Sequence, residues 1–122
     1  MTNAVDESVL LSRLDGDEEL LVELIDAFLA ESEGLLDRVA DAVDRRDAAR
    51  LERAAHSVKG TVSLFGHREA TEAAQTLESM GRAGELRDAP AAAGRVREQV
   101  RELGKQLSGV RDRLVLDSAR RR

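Results

Sequence analysis

Apolar residues recur at intervals of three and four along almost the whole chain, and this spacing is the strongest constraint on its fold. It is clearest between Leu20 and Val43, where leucine, isoleucine, phenylalanine and valine return every turn. No segment shows the alternation of apolar and polar residues that a half-buried strand requires. The pattern therefore predicts an all-α chain.

Glycines, the one proline and capping residues divide the pattern into five predicted helices. They are about Asp6–Leu14, Asp17–Asp44, Asp47–Gly66, a fourth that ends near Gly81 and Gly84, and a fifth that begins at Asp88 and Pro90. Short connections between long amphipathic helices predict an up-down-up-down four-helix bundle with the short first helix packed on one end. We expect one domain over 1–122, with the bundle at about 6–116 and a frayed basic tail at 117–122.

Composition and charge exclude several classes of function. The 122 residues carry a net charge of -5 with interspersed signs, which argues against nucleic acid or an anionic membrane as the main partner. The absence of cysteine excludes disulfides and thiolate metal sites. The N-terminus resembles no signal peptide, and no apolar run approaches the roughly 20 residues of a transmembrane helix. We expect a cytoplasmic protein with no membrane insertion.

The third predicted helix has one apolar seam, and His56 lies far from it. The seam consists of Leu51, Ala55, Val58, Val62 and Phe65. At about 100° per residue these cluster within roughly 40° of one direction, whereas His56 lies about 140° away. Lys59 falls at about 80° from the seam, Ser63 at about 120° and Gly60 at about 180°. The nucleophile His56, the cation Lys59 and Gly60, which has no side chain, are thus expected to share one solvent-facing surface.

This combination favours a phosphoacceptor over an incidental surface histidine. A glycine inside a helix costs about 1 kcal/mol relative to alanine, so Gly60 suggests that a partner approaches closely there. A neutral imidazole is a competent nucleophile near neutral pH. Lys59, one turn from His56, could offset the charge of an attached phosphoryl group.

The residues Ala55, His56, Lys59, Gly60 and Gly66 match the signature A-H-x-L-K-G-x-x-x-x-x-G. This segment resembles the region around the phosphorylated histidine of the histidine-containing phosphotransfer (HPt) domains of two-component phosphorelays. The resemblance extends over about residues 8–115, through DGDEELLVELIDAFL before the signature and AAQTLES after it. Val58 replaces the more common leucine and keeps the apolar character.

The resemblance implies roles for further residues. In such domains the ring nitrogen remote from the backbone is phosphorylated, and a Gln or Glu from the following helix hydrogen-bonds the other nitrogen. Glu78 aligns with that residue and would fix the tautomer of His56, with Gln75 a weaker candidate. Arg82 matches a basic position of some relatives and is equally explained as surface charge. His67, at the turn into the fourth helix, is expected to cap that helix or to lie on the surface.

The resemblance also implies what the chain needs from others. An isolated His/Lys surface supplies no carboxylate cluster for magnesium, so we expect a phosphoryl carrier, not an enzyme, with Mg²⁺ supplied by the receiver domain of a response regulator. The implied partners are such receiver domains and a sensor histidine kinase, which can be a hybrid kinase. Docking would use exposed apolar residues near His56, from the first two helices and the start of the third, with Ala49 and Leu64 as further contributors. A monomer is expected.

Three alternatives remain at this point. The chain could be the phosphoacceptor module of a larger hybrid or chemotaxis-type kinase, which Glu78 in place of glutamine favours and the start at Met1 disfavours. It could be a helical adaptor in which His56 is incidental, although this leaves Gly60 unexplained. A metalloenzyme bundle would need inward Glu-x-x-His motifs, whereas Glu52 and His56 point outward.

Overall fold

The computed structural model describes residues 5–121, and in this range the chain is helical without strands. The helices are α1 (Glu7–Arg13), α2 (Glu18–Asp44), α3 (Ala48–Ser63), α4 (Arg68–Ala83) and α5 (Ala89–Arg120). The predicted all-α class is confirmed. The fourth predicted helix does not stop at Gly81, which lies inside α4; Gly84 ends that helix in the left-handed conformation, with φ 70°.

Side-chain caps set the starts of the first three helices, and the sequence indicates two of them, Asp17 and Asp47. The carboxylate of Asp6 accepts hydrogen bonds from the backbone N–H of Ser8 and of Val9. Asp17 and Asp47 each accept one from the N–H three residues ahead. These bonds satisfy backbone donors that the first turn of a helix leaves without intrahelical partners.

The four long helices pack as a ring. α3 contacts α2 and α4, α5 contacts the same two helices from the opposite side, and α1 packs on α2. The short connections make successive long helices antiparallel, which confirms the up-down-up-down bundle with a short additional helix. Leucine, valine and alanine fill most of the core, and the rings of Phe28 and Phe65 meet edge to face with centroids 5.4 Å apart.

The last helix is longer than expected. α5 remains helical to Arg120. The prediction of a frayed tail from residue 117 is therefore wrong for residues 117–120. Arg121 contacts Glu18 of α2, with Nη1 3.2 Å from Oε2, and this ion pair ties the end of the chain to the bundle. Arg122 lies outside the described residues. No helix within residues 5–121 is long and apolar enough to cross a membrane.

Candidate functional site

His56 lies near the middle of α3 with its side chain 67% exposed. The predicted seam residues Leu51, Ala55, Val58 and Val62 are all buried. The helical geometry that turned His56 toward solvent is therefore confirmed. The opposite face of α3 is packed in the core, so a reacting group can reach the imidazole only from the solvent side.

Glu78 of α4 contacts the imidazole of His56 from the buried side. Glu78 is 2% exposed, and its Oε2 lies 2.7 Å from Nδ1 of His56. The helices α3 and α4 are unusually close one turn further along, where a Cβ on Gly81 would lie 2.5 Å from the backbone nitrogen of Glu52. The missing side chain of Gly81 thus allows the close helix contact that brings Glu78 to the imidazole.

Lys59 neutralises the Glu78 carboxylate. Its Nζ lies 2.5 Å from Oε1 of Glu78 and also donates to Oε1 of Gln75 at 3.0 Å. The hydrogen bond from Lys59 lowers the pKa of Glu78, the bond from His56 adds to this, and burial opposes both. Glu78 is therefore ionised at neutral pH and can only accept hydrogen bonds.

The ionised state of Glu78 determines the tautomer of His56. Because the carboxylate can only accept, Nδ1 of the neutral imidazole must carry the proton and donate to Oε2. The lone pair then resides on Nε2, at the end of the ring remote from the backbone. This is the arrangement that a nucleophilic imidazole requires.

Arg82 completes the network on the α4 side. Its Nε lies 3.1 Å from Oε2 of Glu52, and its Nη2 lies 3.5 Å from Oε2 of Glu78. Glu78 thus has two cations and the His56 N–H around it, which offsets the cost of burying its charge. The exposed guanidinium acts here as a link between α3 and α4.

Gly60 leaves open space beside His56. A Cβ built on Gly60 would meet no atom within 4 Å, so packing inside the protein does not require glycine at this position. The Ser63 hydroxyl donates to the Gly60 carbonyl oxygen at 3.1 Å and keeps that side chain folded onto the helix. The surface next to the imidazole is therefore shallow enough for a second protein to come close.

The other residues singled out from the sequence have different positions. Gln75 contacts Lys59 and does not take the place of Glu78 at His56. His67 is 1% exposed, and its Nδ1 accepts from the N–H of Ala70, so it caps α4 as predicted while the surface alternative is wrong. Ala49 and Leu64 are both exposed.

Sequence reasoning missed two parts of the site. The ion pair between Arg82 and Glu52 joins side chains on two different helices, so no spacing within one helix predicts it. Gly81 was interpreted as a helix-end signal, although a glycine three residues after Glu78 could have indicated close helix packing. Within residues 5–121, no group of three or more His, Cys, Asp or Glu side chains is arranged to hold a metal ion.

Comparisons with known proteins show which family and which solved structure this chain resembles. A family model described as the Hpt domain matches residues 23–107. The crystal structure of histidine-containing phosphotransfer protein B (HptB) from Pseudomonas aeruginosa PAO1 superposes with a TM-score of 0.84 at 29% sequence identity, covering 93% of this chain and 98% of that one. Comparison with curated proteins finds no significant match.

Proposed function

Because the chain belongs to the Hpt domain family, we propose that it works in a two-component phosphorelay by carrying a phosphoryl group on Nε2 of His56. The single observation that carries this assignment is the 2.7 Å contact between Nδ1 of His56 and the buried Glu78. It selects the tautomer with a nucleophilic Nε2 on an exposed side chain. HptB, which this chain resembles, is by its name a phosphotransfer protein.

The proposed reaction exchanges one phosphorus bond for another. The Nε2 lone pair attacks the phosphorus of an aspartyl phosphate on a receiver domain, an N–P bond forms, and the P–O bond to the aspartate breaks. The aspartate leaves as a carboxylate, and the imidazole retains its Nδ1 proton and gains positive charge. The reverse reaction passes the phosphoryl group to the aspartate of another receiver.

Glu78 and Lys59 have distinct parts in this proposal. The Glu78 carboxylate holds the Nδ1 proton and offsets the positive charge that the ring acquires as the N–P bond forms, as the carboxylate of a Ser-His-Asp triad does. Lys59 keeps Glu78 ionised. With a side chain 27% exposed, Lys59 also has a donor available to a phosphoryl oxygen beside His56.

The partner would supply the rest of the chemistry. In-line phosphoryl transfer needs charge neutralisation on the transferred group, and we propose that the receiver domain brings the carboxylates and the Mg²⁺ that they bind. The protein is then a carrier, not an enzyme in its own right. A cytoplasmic location and a monomeric state are part of the same proposal.

Phosphotransfer profiling tests the proposal. The purified protein is incubated with a panel of radiolabelled, phosphorylated receiver domains from its own organism, beside His56→Gln and the matched control His67→Asn, which keeps a capping oxygen. We expect acid-labile, alkali-stable label on the wild type and on His67→Asn, and none on His56→Gln. Label that persists on His56→Gln would overturn the assignment of the phosphoacceptor.

A second candidate differs in the phosphate donor. Glu78 in place of glutamine favours a phosphoacceptor module of a chemotaxis-type kinase, which receives its phosphate from an ATP-binding domain. The site would be the same. ATP-dependent labelling of His56 by an isolated kinase domain, faster than labelling by any receiver, would favour this candidate over the relay carrier.

A further inference from the structure

A second charged surface borders His56 on the side away from Glu78. A groove of about 260 Å³ runs between α2 and α3. It is lined by Arg38, Asp41, Arg50, Arg53, Ala54 and Ser57. Ser57 is the immediate neighbour of His56, and Arg53 lies one helical turn before it, so the groove opens beside the imidazole.

The groove is positively charged although the protein is not. Three of its six lining residues are arginines against one aspartate, while the whole chain carries -5. Asp41 is held by Arg45, a residue outside the groove, with Nε 3.0 Å from Oδ1. The local excess of positive charge therefore remains available to an outside partner.

Two of the arginines have no partner within the part of the chain that the structure describes. Arg50 contacts Asp47 at 3.1 Å, but Arg38 and Arg53 make no ion pair or side-chain hydrogen bond among residues 5–121, and both are exposed. This contrasts with Lys59 and Arg82, whose charges are directed at Glu78. Lys59 and Arg82 thus serve the site itself, whereas Arg38 and Arg53 pair with no acidic side chain in the described range.

We propose that the arginine groove, formed by Arg38, Arg50 and Arg53, docks an acidic surface on the receiver domain next to its phosphorylated aspartate. This inference rests on the proposed function. A receiver that binds Mg²⁺ through carboxylates and carries a phosphoryl group presents negative charge around the reacting atom. When that atom lies over His56, its acidic surroundings fall within reach of Arg53. Charge complementarity of this kind accelerates association and aligns the partners.

The experiment compares two phosphodonors and two pairs of substitutions. The donors are phosphoramidate, a small molecule that needs no docking surface, and the phosphorylated receiver domain that labels the wild type fastest. The test variant is Arg38→Gln/Arg53→Gln. The matched control is Arg95→Gln/Lys105→Gln, which removes the same charge from exposed positions on α5, the helix diagonally opposite α3. Rates are measured from low to high ionic strength.

We expect the test variant to lose about tenfold or more in the second-order rate constant of phosphotransfer from the receiver at low ionic strength, and less at high ionic strength. Its labelling by phosphoramidate should equal that of the wild type, and the control should retain its rate with both donors. Equal rates for test variant, control and wild type with the receiver would overturn the groove proposal while leaving His56 as phosphoacceptor. A parallel loss with phosphoramidate would also overturn it, by placing the arginines in the chemistry of His56. If neither donor labels the wild type, the proposed function falls and the groove proposal falls with it.

Discussion

The two histidines of this chain, one within α3 and one capping the start of α4, lie in opposite environments. His56 has 67% of its side chain exposed, whereas His67 is 1% exposed. Their hydrogen bonds are also opposite, because Nδ1 of His56 donates to Glu78 and Nδ1 of His67 accepts from the N–H of Ala70. His56 therefore presents a lone pair on Nε2 to solvent, while His67 holds a buried N–H there. One residue type thus caps a helix at one position and, in the proposed function, acts as the nucleophile at the other, depending on its neighbours.

The first test of this contrast is the stability of the fold. His67→Ala removes the cap of α4 and leaves a cavity, so we expect it to lower the free energy of unfolding by about 3 kcal/mol. His56→Ala should cost about 1 kcal/mol or less, because the ring is exposed and Glu78 keeps Lys59 and Arg82. Urea unfolding of both variants measures the difference. Equal losses would show that the imidazole of His56 is also part of the framework.

Two glycines extend the contrast between exposed and packed positions. Gly81→Ala places a methyl group 2.5 Å from the backbone nitrogen of Glu52, so we expect a loss of about 2 kcal/mol in unfolding free energy and slower phosphotransfer as Glu78 moves from His56. Gly60→Ala meets open space and should stabilise α3 by about 1 kcal/mol. Thermal unfolding and transfer rates check both variants. A stable, fully active Gly81→Ala would refute the role of the close helix contact.

The hydrogen bond between Nδ1 of His56 and Glu78 can be removed without changing the one at Nδ1 of His67. A hydrogen bond to a charged group contributes about 1.5–3 kcal/mol, so Glu78→Ala should slow phosphotransfer roughly tenfold or more. Glu78→Gln keeps an acceptor and should lose less. The ¹⁵N chemical shifts of the His56 ring report the tautomer directly. We expect a protonated Nδ1 in the wild type and a mixture of tautomers in Glu78→Ala; an unchanged tautomer would remove the positioning role from Glu78.

The smallest expected effect is a pH dependence of stability that comes from His67. Burial lowers the pKa of its imidazole below the ordinary value of 6.5. The unfolded chain then binds this proton at higher pH than the folded one, so stability should fall as the pH drops from 7 through 6.5 and below. His67→Asn should flatten this slope. Because the pKa of Glu78 is lowered from 4.5, protonation of Glu78 affects stability only at more acidic pH. Parallel curves for wild type and His67→Asn between pH 7 and 5 would contradict the assignment.

Much of the fold follows from local signals. The periodicity between Leu20 and Val43 and the acidic residues Asp6, Asp17 and Asp47 place the starts of the first three helices within one residue of their positions in the structure. The ends of α3 and α5 differ by three and four residues from those predicted. The exposure of His56 follows from the same helical geometry. Alignment to a family signature selected Glu78, which no spacing within the chain could have done, because it lies on another helix.

The sequence by itself therefore determined the helices, their order and the outward direction of His56, since each depends on residues within one or two turns. The tertiary structure alone decided that Lys59 pairs with Glu78, that Arg82 bridges two helices and that His67 is buried. These features depend on how closely and in which rotation α3 and α4 pack. That distance is set by backbone contact at Gly81, where the absence of one methyl group brings a carboxylate within hydrogen-bonding distance of the imidazole.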